Sequence, residues 1–408
     1  MAITKFLTIA FILLGTALSK NPFKRDNKTE PKNNTIPDNQ TIPVNDSASG
    51  NNTKNQNKTL PKELLKFNKN GKFKIIQFTD THFGELAERD QNSQELMKKI
   101  MDYEKADLVV VSGDMVSGYA WDGSKGWYEH HYRQFLQPMI DKNMKWAVTA
   151  GNHDDEVDIT KEEMSELDRS HDLSYTLPNS GNISKVFNYL LPIYDQSGKN
   201  IMYRLWFLDS GNLHCQNFDG YDCFEQDQID WFRSENSKIK DDDISKGRAI
   251  AIFHIPLYQF MHLLKPGNHF YGYQQEPVCC QGLDTGLFAA IKEQKSVEWI
   301  TCGHDHNNDY HGTYDDINLS YGRKTGYGGY GPKNIQRGAR IFEITLEPYS
   351  VKTWIREENG NIVNHTQPHS YPSFWPAQHK CCLAKVMGQV TANYEENKKQ
   401  HLLQEFYD

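Results

Sequence analysis

Five short clusters of aspartate, histidine and asparagine each follow an apolar run of the β-strand type. The clusters are Asp80-Thr81-His82, Gly113-Asp114, Gly151-Asn152-His153-Asp154, His254 and Gly303-His304-Asp305-His306. The runs before them span residues 74–78, 108–111, 146–148, 249–253 and 299–301. In open α/β sheets functional groups gather at the carboxyl ends of strands, so clusters that are distant in sequence can converge. The pattern therefore predicts one shared site.

The donor atoms of these clusters are carboxylate and amide oxygens with imidazole nitrogens, a set that suits borderline-to-hard divalent or trivalent cations. Two such cations a few ångströms apart clamp the attacking and leaving oxygens of an in-line displacement, usually around a shared carboxylate. Asp114 follows its run alone and is the candidate bridge. Asn152 offers a neutral carbonyl oxygen, which leaves a metal Lewis-acidic, and His254 completes the second site.

In two pairs of candidate ligands, the residues lie two positions apart in the sequence. Asp80 and His82 point the same way on extended backbone and can bind one cation together. His304 and His306 repeat that spacing but could bind different ions. Taken singly, such a pair is more often a strand end with polar neighbours, and Gly-Asn-His-Asp could be a turn. The five clusters together predict a dinuclear metal site.

The order of these motifs resembles the calcineurin-like metallophosphoesterase superfamily over roughly residues 70 to 356. Two stretches, 303–310 and the glycine- and tyrosine-rich 321–331, together resemble a fungal and plant branch of this superfamily. The plant members of that branch are labelled purple-acid-phosphatase-like. The resemblance implies that His153 is not a ligand and faces the scissile phosphate. It places one metal ion on Asp80, His82, Asp114 and His306, and the other on Asp114, Asn152, His254 and His304.

The chain departs from the neighbouring branches at Ser117. Purple acid phosphatases have their colour-giving tyrosine at this position, three residues beyond the bridging aspartate, and their first motif is Asp-x-Gly. Serine/threonine phosphatases of the calcineurin type read Gly-Asp-x-Val-Asp-Arg-Gly, whereas this chain reads Gly-Asp-Met-Val-Ser-Gly-Tyr from residue 113. A purple colour and protein-phosphatase activity of that type are therefore not expected.

The resemblance implies hydrolysis of a phosphate ester, in which a hydroxide held between the two cations attacks phosphorus in line. His153 would stabilise the transferring oxygens or protonate the leaving alkoxide. Its usual partner position is Ser117, so Asp154 or a backbone carbonyl would orient it instead. Arg323 and Lys324 would bind a substrate phosphate oxygen, or else belong to a solvent-exposed turn.

The predicted function is that of a secreted phosphomonoesterase with two ions of iron, zinc or manganese. One alternative is a phosphodiesterase acting on nucleotides or lipid headgroups, since the motifs do not report pocket shape. The other is a glycosylated binding protein with an inactive domain, against which the intact ligand set argues. The net charge is −8, and the segment before residue 63 is net basic, so the body is more acidic still. Nucleic acid is therefore not an expected partner, because binding its backbone needs clustered Lys and Arg.

The N-terminus predicts entry into the secretory pathway. Lys5, an apolar core at 6–14 and the small-residue site Ala17-Leu18-Ser19 form a signal peptide too short to span a bilayer. A polar tract with a sequon every six residues follows, predicted to be a disordered stalk. We expect a secreted, endomembrane or lysosomal protein, with no transmembrane segment. The candidate glycosylation sites are Asn27, Asn33, Asn39, Asn45, Asn51, Asn57, Asn182, Asn318 and Asn364.

Seven cysteines fit an oxidising compartment with one thiol left over. The adjacent pairs 279–280 and 381–382 are expected to bridge to each other, because a bond within a pair would be strained. Cys215 and Cys223 flank a short loop and could close it, which leaves Cys302 as the free thiol.

Amphipathic patterns between the strands predict helices, and this alternation indicates an α/β fold. Leu96, Ile100 and Tyr103 share one predicted face, as do residues 135, 136, 139 and 140. The resemblance sharpens the fold to two packed β-sheets flanked by helices, a four-layer sandwich. The predicted domains are a signal peptide (1–19), the stalk (20–68), the metallophosphoesterase domain (69–360) and a C-terminal tail (361–408).

Overall fold

The computed structural model describes residues 63–372, 378 and 380–382, so the signal peptide, the six repeated sequons and most of the tail lie outside the described residues. The helices are α1 (Ala87–Glu104), α2 (Trp127–Asp141), α3 (Lys161–Arg169), α4 (Gln226–Ser237), α5 (Tyr258–Leu263) and α6 (Leu287–Gln294). The strands are β1 (Lys72–Phe78), β2 (Leu108–Ser112), β3 (Trp146–Thr149), β4 (Tyr189–Tyr194), β5 (Ile201–Phe207), β6 (Leu213–Cys215), β7 (Phe218–Tyr221), β8 (Ala249–Ile252), β9 (Trp299–Cys302), β10 (His311–Tyr314), β11 (Ile317–Tyr321), β12 (Gly338–Leu346), β13 (Tyr349–Glu357) and β14 (Ile362–Val363).

Two six-stranded sheets make up the body. The first has the order β14-β13-β12-β1-β2-β3, in which β1, β2 and β3 are parallel. The second has the order β10-β11-β9-β8-β5-β4, in which β5, β8, β9 and β11 are parallel. Parallel neighbours need crossover connections, which α1 and α2 supply in the first sheet. The parallel strands therefore end on the same edge of each sheet.

The sheets pack together through alternating side chains. Ile250 and Ile252 on β8 belong to the core shared with the first sheet, whereas Ala249 and Ala251 face a second core that includes residues of α4, α5 and α6. Gln77 on β1 joins the sheets directly: its amide nitrogen donates to the carbonyl of Cys302 (3.1 Å), and its oxygen accepts from a β9 threonine. The predicted α/β fold with two packed sheets and flanking helices is confirmed.

The helical patterns are confirmed in part. Leu96 and Ile100 are fully buried on α1, but Tyr103 is 46% exposed, so its predicted place on the buried face is wrong. Ile140, at the end of α2, is likewise 38% exposed. Both lie in the last turn of their helices, and Tyr103 instead packs close to Gly360.

The expected disulfide framework is confirmed. Cys215 is bonded to Cys223, and the adjacent pairs are joined as 279–382 and 280–381, so that they tie the tail to the body. Cys302 is the free thiol among the described cysteines, and it is buried. None of the helices in residues 63–372 combines the length and apolar composition that crossing a bilayer requires.

Candidate metal centre

Every predicted ligand lies in a loop that directly follows a parallel strand. The loops after β1, β2 and β3 come from the first sheet, and those after β8 and β9 from the second. Asp80, His82, Asp114 and His304 all have positive φ angles, of 53°, 52°, 52° and 79°. A non-glycine residue in this region costs of order 1–3 kcal/mol and persists where the surroundings over-determine it, often at functional sites. Four of the seven predicted ligands therefore have strained backbone.

The first ligand group consists of Asp80, His82, Asp114 and His306, all buried, with one donor atom each within 4.8 Å of the others. His82 Nε2 lies 3.2 Å from His306 Nε2 and 3.4 Å from Asp114 Oδ2. His306 Nε2 lies 3.3 Å from Asp80 Oδ1. Two imidazole nitrogens and two carboxylates thus point at one small volume.

The second ligand group consists of Asp114, His254 and His304, under the same distance limit. His254 Nε2 lies 3.1 Å from Asp114 Oδ2 and 3.3 Å from His304 Nδ1. Asn152 joins this group, since its Oδ1 is 3.1 Å from His254 Nε2. The same carboxylate oxygen, Asp114 Oδ2, approaches a histidine of each group, which is the geometry of a bridging ligand.

The donor set fits cations because most of its members are held in the metal-binding protonation state. Burial lowers the pKa of His304 well below its usual range, and burial with the Lys324 ammonium lowers that of His306 to about 3. Asp114 is kept ionised, because the histidine charges around it outweigh its burial and lower its pKa. At His254 burial lowers the pKa, but Asp114 outweighs it and raises it to about 9. A cation binding there would displace a proton.

Contacts behind the ligands fix which ring nitrogen faces the centre. The Nδ1 atoms of His306 and His254 lie 2.7 Å and 2.8 Å from the carbonyls of Tyr330 and Ser112, which they can satisfy only by donating. Such a bond sets the tautomer and leaves Nε2 with its lone pair for a metal. His254 and His306 are thereby held by backbone carbonyls, without any side-chain motif.

His82 is held by a chain of side chains that the sequence did not indicate. Its Nδ1 lies 2.9 Å from the Ser117 hydroxyl, which donates to Glu85 at 2.8 Å. Tyr119 also donates to Glu85, and the backbone N–H of Gly329 does so at 2.7 Å. Ser117, where purple acid phosphatases have tyrosine, therefore orients a ligand in this chain.

His153 lies beside both groups. Its backbone N–H donates to Asp114 Oδ1 (3.0 Å), and its ring centroid is 5.6 Å from that of His82. Neither partner considered from the sequence contacts its ring. Asp154 accepts three backbone N–H groups of its own and neighbouring loops, whereas His153 Nδ1 lies 3.0 Å from Glu156 Oε2.

Arg323 and Lys324 are fully or almost fully buried, so the exposed-turn alternative is wrong. The guanidinium of Arg323 donates to Asp309 Oδ2 at 2.9 Å. The Lys324 ammonium donates to the carbonyls of Asp80 and Gly328, both at 2.7 Å, and burial lowers its pKa to about 7. Direct substrate binding by either residue stays a prediction, and it would exchange one of these bonds for phosphate.

Close packing explains the glycines of the stretch 321–331. A Cβ added at Gly326 would lie 1.9 Å from the carbonyl oxygen of Thr81, and one at Gly328 would lie 2.0 Å from that of His82. The stretch therefore lies directly against the first ligand loop. Its Tyr330 stacks on His306 with ring centroids 4.1 Å apart. The glycines serve close backbone approach here.

The chain is similar in sequence and fold to known proteins. The calcineurin-like phosphoesterase family model matches residues 73–308. The chain is 28% identical over 346 residues to "Probable inactive purple acid phosphatase 29" of Arabidopsis thaliana, covering 74% of this chain and 87% of that protein. It is 30% identical over 325 residues to "Phosphatase DCR2" of Saccharomyces cerevisiae, covering 70% of this chain and 54% of that protein. A dimetal phosphatase from Danio rerio superposes with a TM-score of 0.48 at 11% identity, covering 73% of this chain and 98% of that one.

Proposed function

Because the chain belongs to the calcineurin-like phosphoesterase family, we propose that it hydrolyses phosphate monoesters with two metal ions bound by the ligand groups that share Asp114. The observation that carries the proposal is the position of Asp114 Oδ2. It lies 3.4 Å from His82 Nε2 in one group and 3.1 Å from His254 Nε2 in the other. A single buried carboxylate oxygen between two sets of imidazoles has its simplest use as a bridge between two cations.

The chemistry divides between the metals and the protein. Two bound cations supply the Lewis acidity that polarises a phosphate and makes water nucleophilic near neutral pH. Asp114 and Asp80 supply the negative charge of the site, and the buried imidazoles complete the coordination without adding charge. His153 presents its ring beside both groups and acts on the phosphate oxygens or on the leaving group. Burial of all the ligands excludes bulk water from the donor atoms, which strengthens each electrostatic contact.

Two kinds of name among the relatives bear on activity. One relative is named a probable inactive phosphatase and another a phosphatase. The sequence of this chain retains all seven predicted ligands and His153, whereas loss of function usually erodes ligands first. The complete ligand set supports an active enzyme, and the phosphatase names support monoesters over diesters.

The test is a substrate screen of the purified, metal-loaded protein. Alkyl and nitrophenyl monoesters are compared with a bis-nitrophenyl diester at acidic and neutral pH, with zinc, manganese or iron. We expect phosphate release from monoesters and its loss on chelation. Preference for the diester would show that the protein is a phosphodiesterase and not a phosphomonoesterase. If no phosphate were released with two ions bound, the alternative of an inactive binding protein would be favoured.

We further propose that the protein reaches an oxidising compartment, which the three disulfides support.

The positions of the three described sequons predict which of them carry glycans. Asn182 and Asn364 are exposed, but Asn318 lies on β11 between two strands, where its Nδ2 donates to the Glu298 carbonyl at 3.1 Å. Glycopeptide mapping of folded, secreted protein should find glycans at Asn182 and Asn364. Substantial occupancy of Asn318 would contradict this account of the strand.

The proposed stalk gives a second prediction. Deleting residues 20–62 should leave hydrolysis nearly unchanged, because every candidate ligand lies between residues 80 and 306. The measurement compares kcat/KM of the two secreted proteins on one monoester, with and without enzymatic removal of N-glycans. A large loss on deletion, but not on deglycosylation, would give the segment a direct part in the site.

A further inference from the structure

We propose that Glu156 is the positioning residue of His153. It would fix the rotation of the His153 ring so that Nε2 faces the two ligand groups. The inference rests on the proposed function for its catalytic meaning and on geometry for its existence. Glu156 Oε2 lies 3.0 Å from His153 Nδ1, and the two residues are three apart in one loop. A carboxylate in this place accepts the Nδ1 proton, which leaves the opposite nitrogen to face the substrate.

The backbone around His153 is already fixed, so the ring torsion is what remains to be set. The His153 N–H donates to Asp114, and its carbonyl accepts the N–H of Gly118 at 3.0 Å. A Cβ at Gly118 would lie 2.2 Å from that carbonyl oxygen and 2.8 Å from Glu156 Cβ. Gly118 thus lets the loop that carries both residues approach closely and holds it in place.

The other contacts of the ring do not direct its nitrogens. Tyr119 meets it edge to face at 4.8 Å, a contact that limits tilt but selects neither nitrogen. Within the described part of the chain, Glu156 is the side chain that forms a hydrogen bond with the His153 ring. The adjacent acids are engaged elsewhere: Asp154 holds backbone N–H groups, and Asp155 contacts Lys161 (3.3 Å) and Asn212 (2.6 Å).

Ser117 explains why the carboxylate comes from this loop. The resemblance places the orienting aspartate of calcineurin-type phosphatases at position 117, but here that position carries a serine whose hydroxyl serves His82 and Glu85. The Ser117 hydroxyl donates its one proton to Glu85 and accepts from His82 Nδ1, so both of its roles are already taken. Glu156 supplies a carboxylate from the loop that carries His153 itself.

The test is a double-mutant cycle between Glu156→Ala, which removes the acceptor, and His153→Asn. On an alkyl phosphate, Glu156→Ala should lower kcat by about 10–100-fold, the usual range for loss of an orienting partner, with both metals retained. In the His153→Asn background it should cost almost nothing, because the two residues act as a unit. Glu156→Asp should recover part of the loss. Asp155→Asn, which removes a neighbouring acid, should leave the ratio of alkyl to nitrophenyl rates unchanged.

Equal losses in both backgrounds would overturn the proposal, as would a loss caused by departure of metal. If the metal-loaded wild type hydrolyses no ester, the proposed function fails instead, and crystal structures decide the inference separately. The His153 ring should then rotate or become disordered in Glu156→Ala, which lacks an acceptor for Nδ1, while the metal ligands keep their places. An unchanged ring in that variant would show that Glu156 does not position it.

Discussion

Asp114→Asn is expected to abolish hydrolysis and to release most of the bound metal. One carboxylate oxygen lies within 3.4 Å of His82 Nε2 and within 3.1 Å of His254 Nε2, so its loss weakens both ligand groups at once. An amide oxygen carries no negative charge, so it binds two cations far more weakly than a carboxylate oxygen does. The measurement is metal content per chain together with phosphate release.

A matched control removes a carboxylate that serves neither group. Asp102 on α1 pairs with Lys142 at the surface, an exposed interaction worth about 0–1 kcal/mol, so Asp102→Asn should keep both metals and full activity. Thermal unfolding of both variants separates loss of metal from loss of fold. An active Asp114→Asn enzyme with two metals still bound would refute the bridging assignment.

His153→Asn should cost far more on alkyl phosphates than on nitrophenyl phosphate. Glu156 Oε2 lies 3.0 Å from His153 Nδ1, and a carboxylate at this distance favours the protonated ring, which keeps a proton available for donation. A nitrophenolate leaves well without a proton, whereas an alkoxide does not. General acid catalysis typically contributes about 10²–10⁴-fold, and this factor should appear on the alkyl substrate. The measurement is kcat on both substrates at equal metal content.

Other outcomes assign His153 a different part. Equal losses on both substrates would indicate stabilisation of charge at phosphorus. Loss of metal along with activity would make His153 a ligand or a structural residue. His130, an exposed histidine on α2, offers a control, since His130→Asn removes an imidazole that belongs to neither ligand group and should leave both rates unchanged.

The convergence of the Asp/His clusters could be predicted from the sequence because its signal is local. Each ligand cluster directly follows an apolar run, and parallel strands bring their carboxyl ends together whatever the loops between them do. The disulfide pairing of 279–280 with 381–382 could be anticipated for a similar reason, since adjacent cysteines can hardly bond each other. Such features need only strand order and short-range sterics.

Contacts between loops could not be predicted in the same way. Glu85 reaches His82 through Ser117, and Glu156 reaches His153, because of loop conformations that no periodic pattern encodes. Arg323 has the composition of a phosphate-binding residue, but its guanidinium is buried against Asp309, which folding brings to it from another element. Isolated charged residues in loops have partners that depend on the whole fold.

Two metal ions are expected to act together in hydrolysis. The most direct test is to titrate metal-free protein with increasing amounts of a single metal element. Phosphate release from a monoester is followed against metal bound per chain. The shared Asp114 predicts that activity remains low with one ion per chain and rises to a plateau as the second ligand group fills. Full activity with one ion bound, or none with two, would contradict the account.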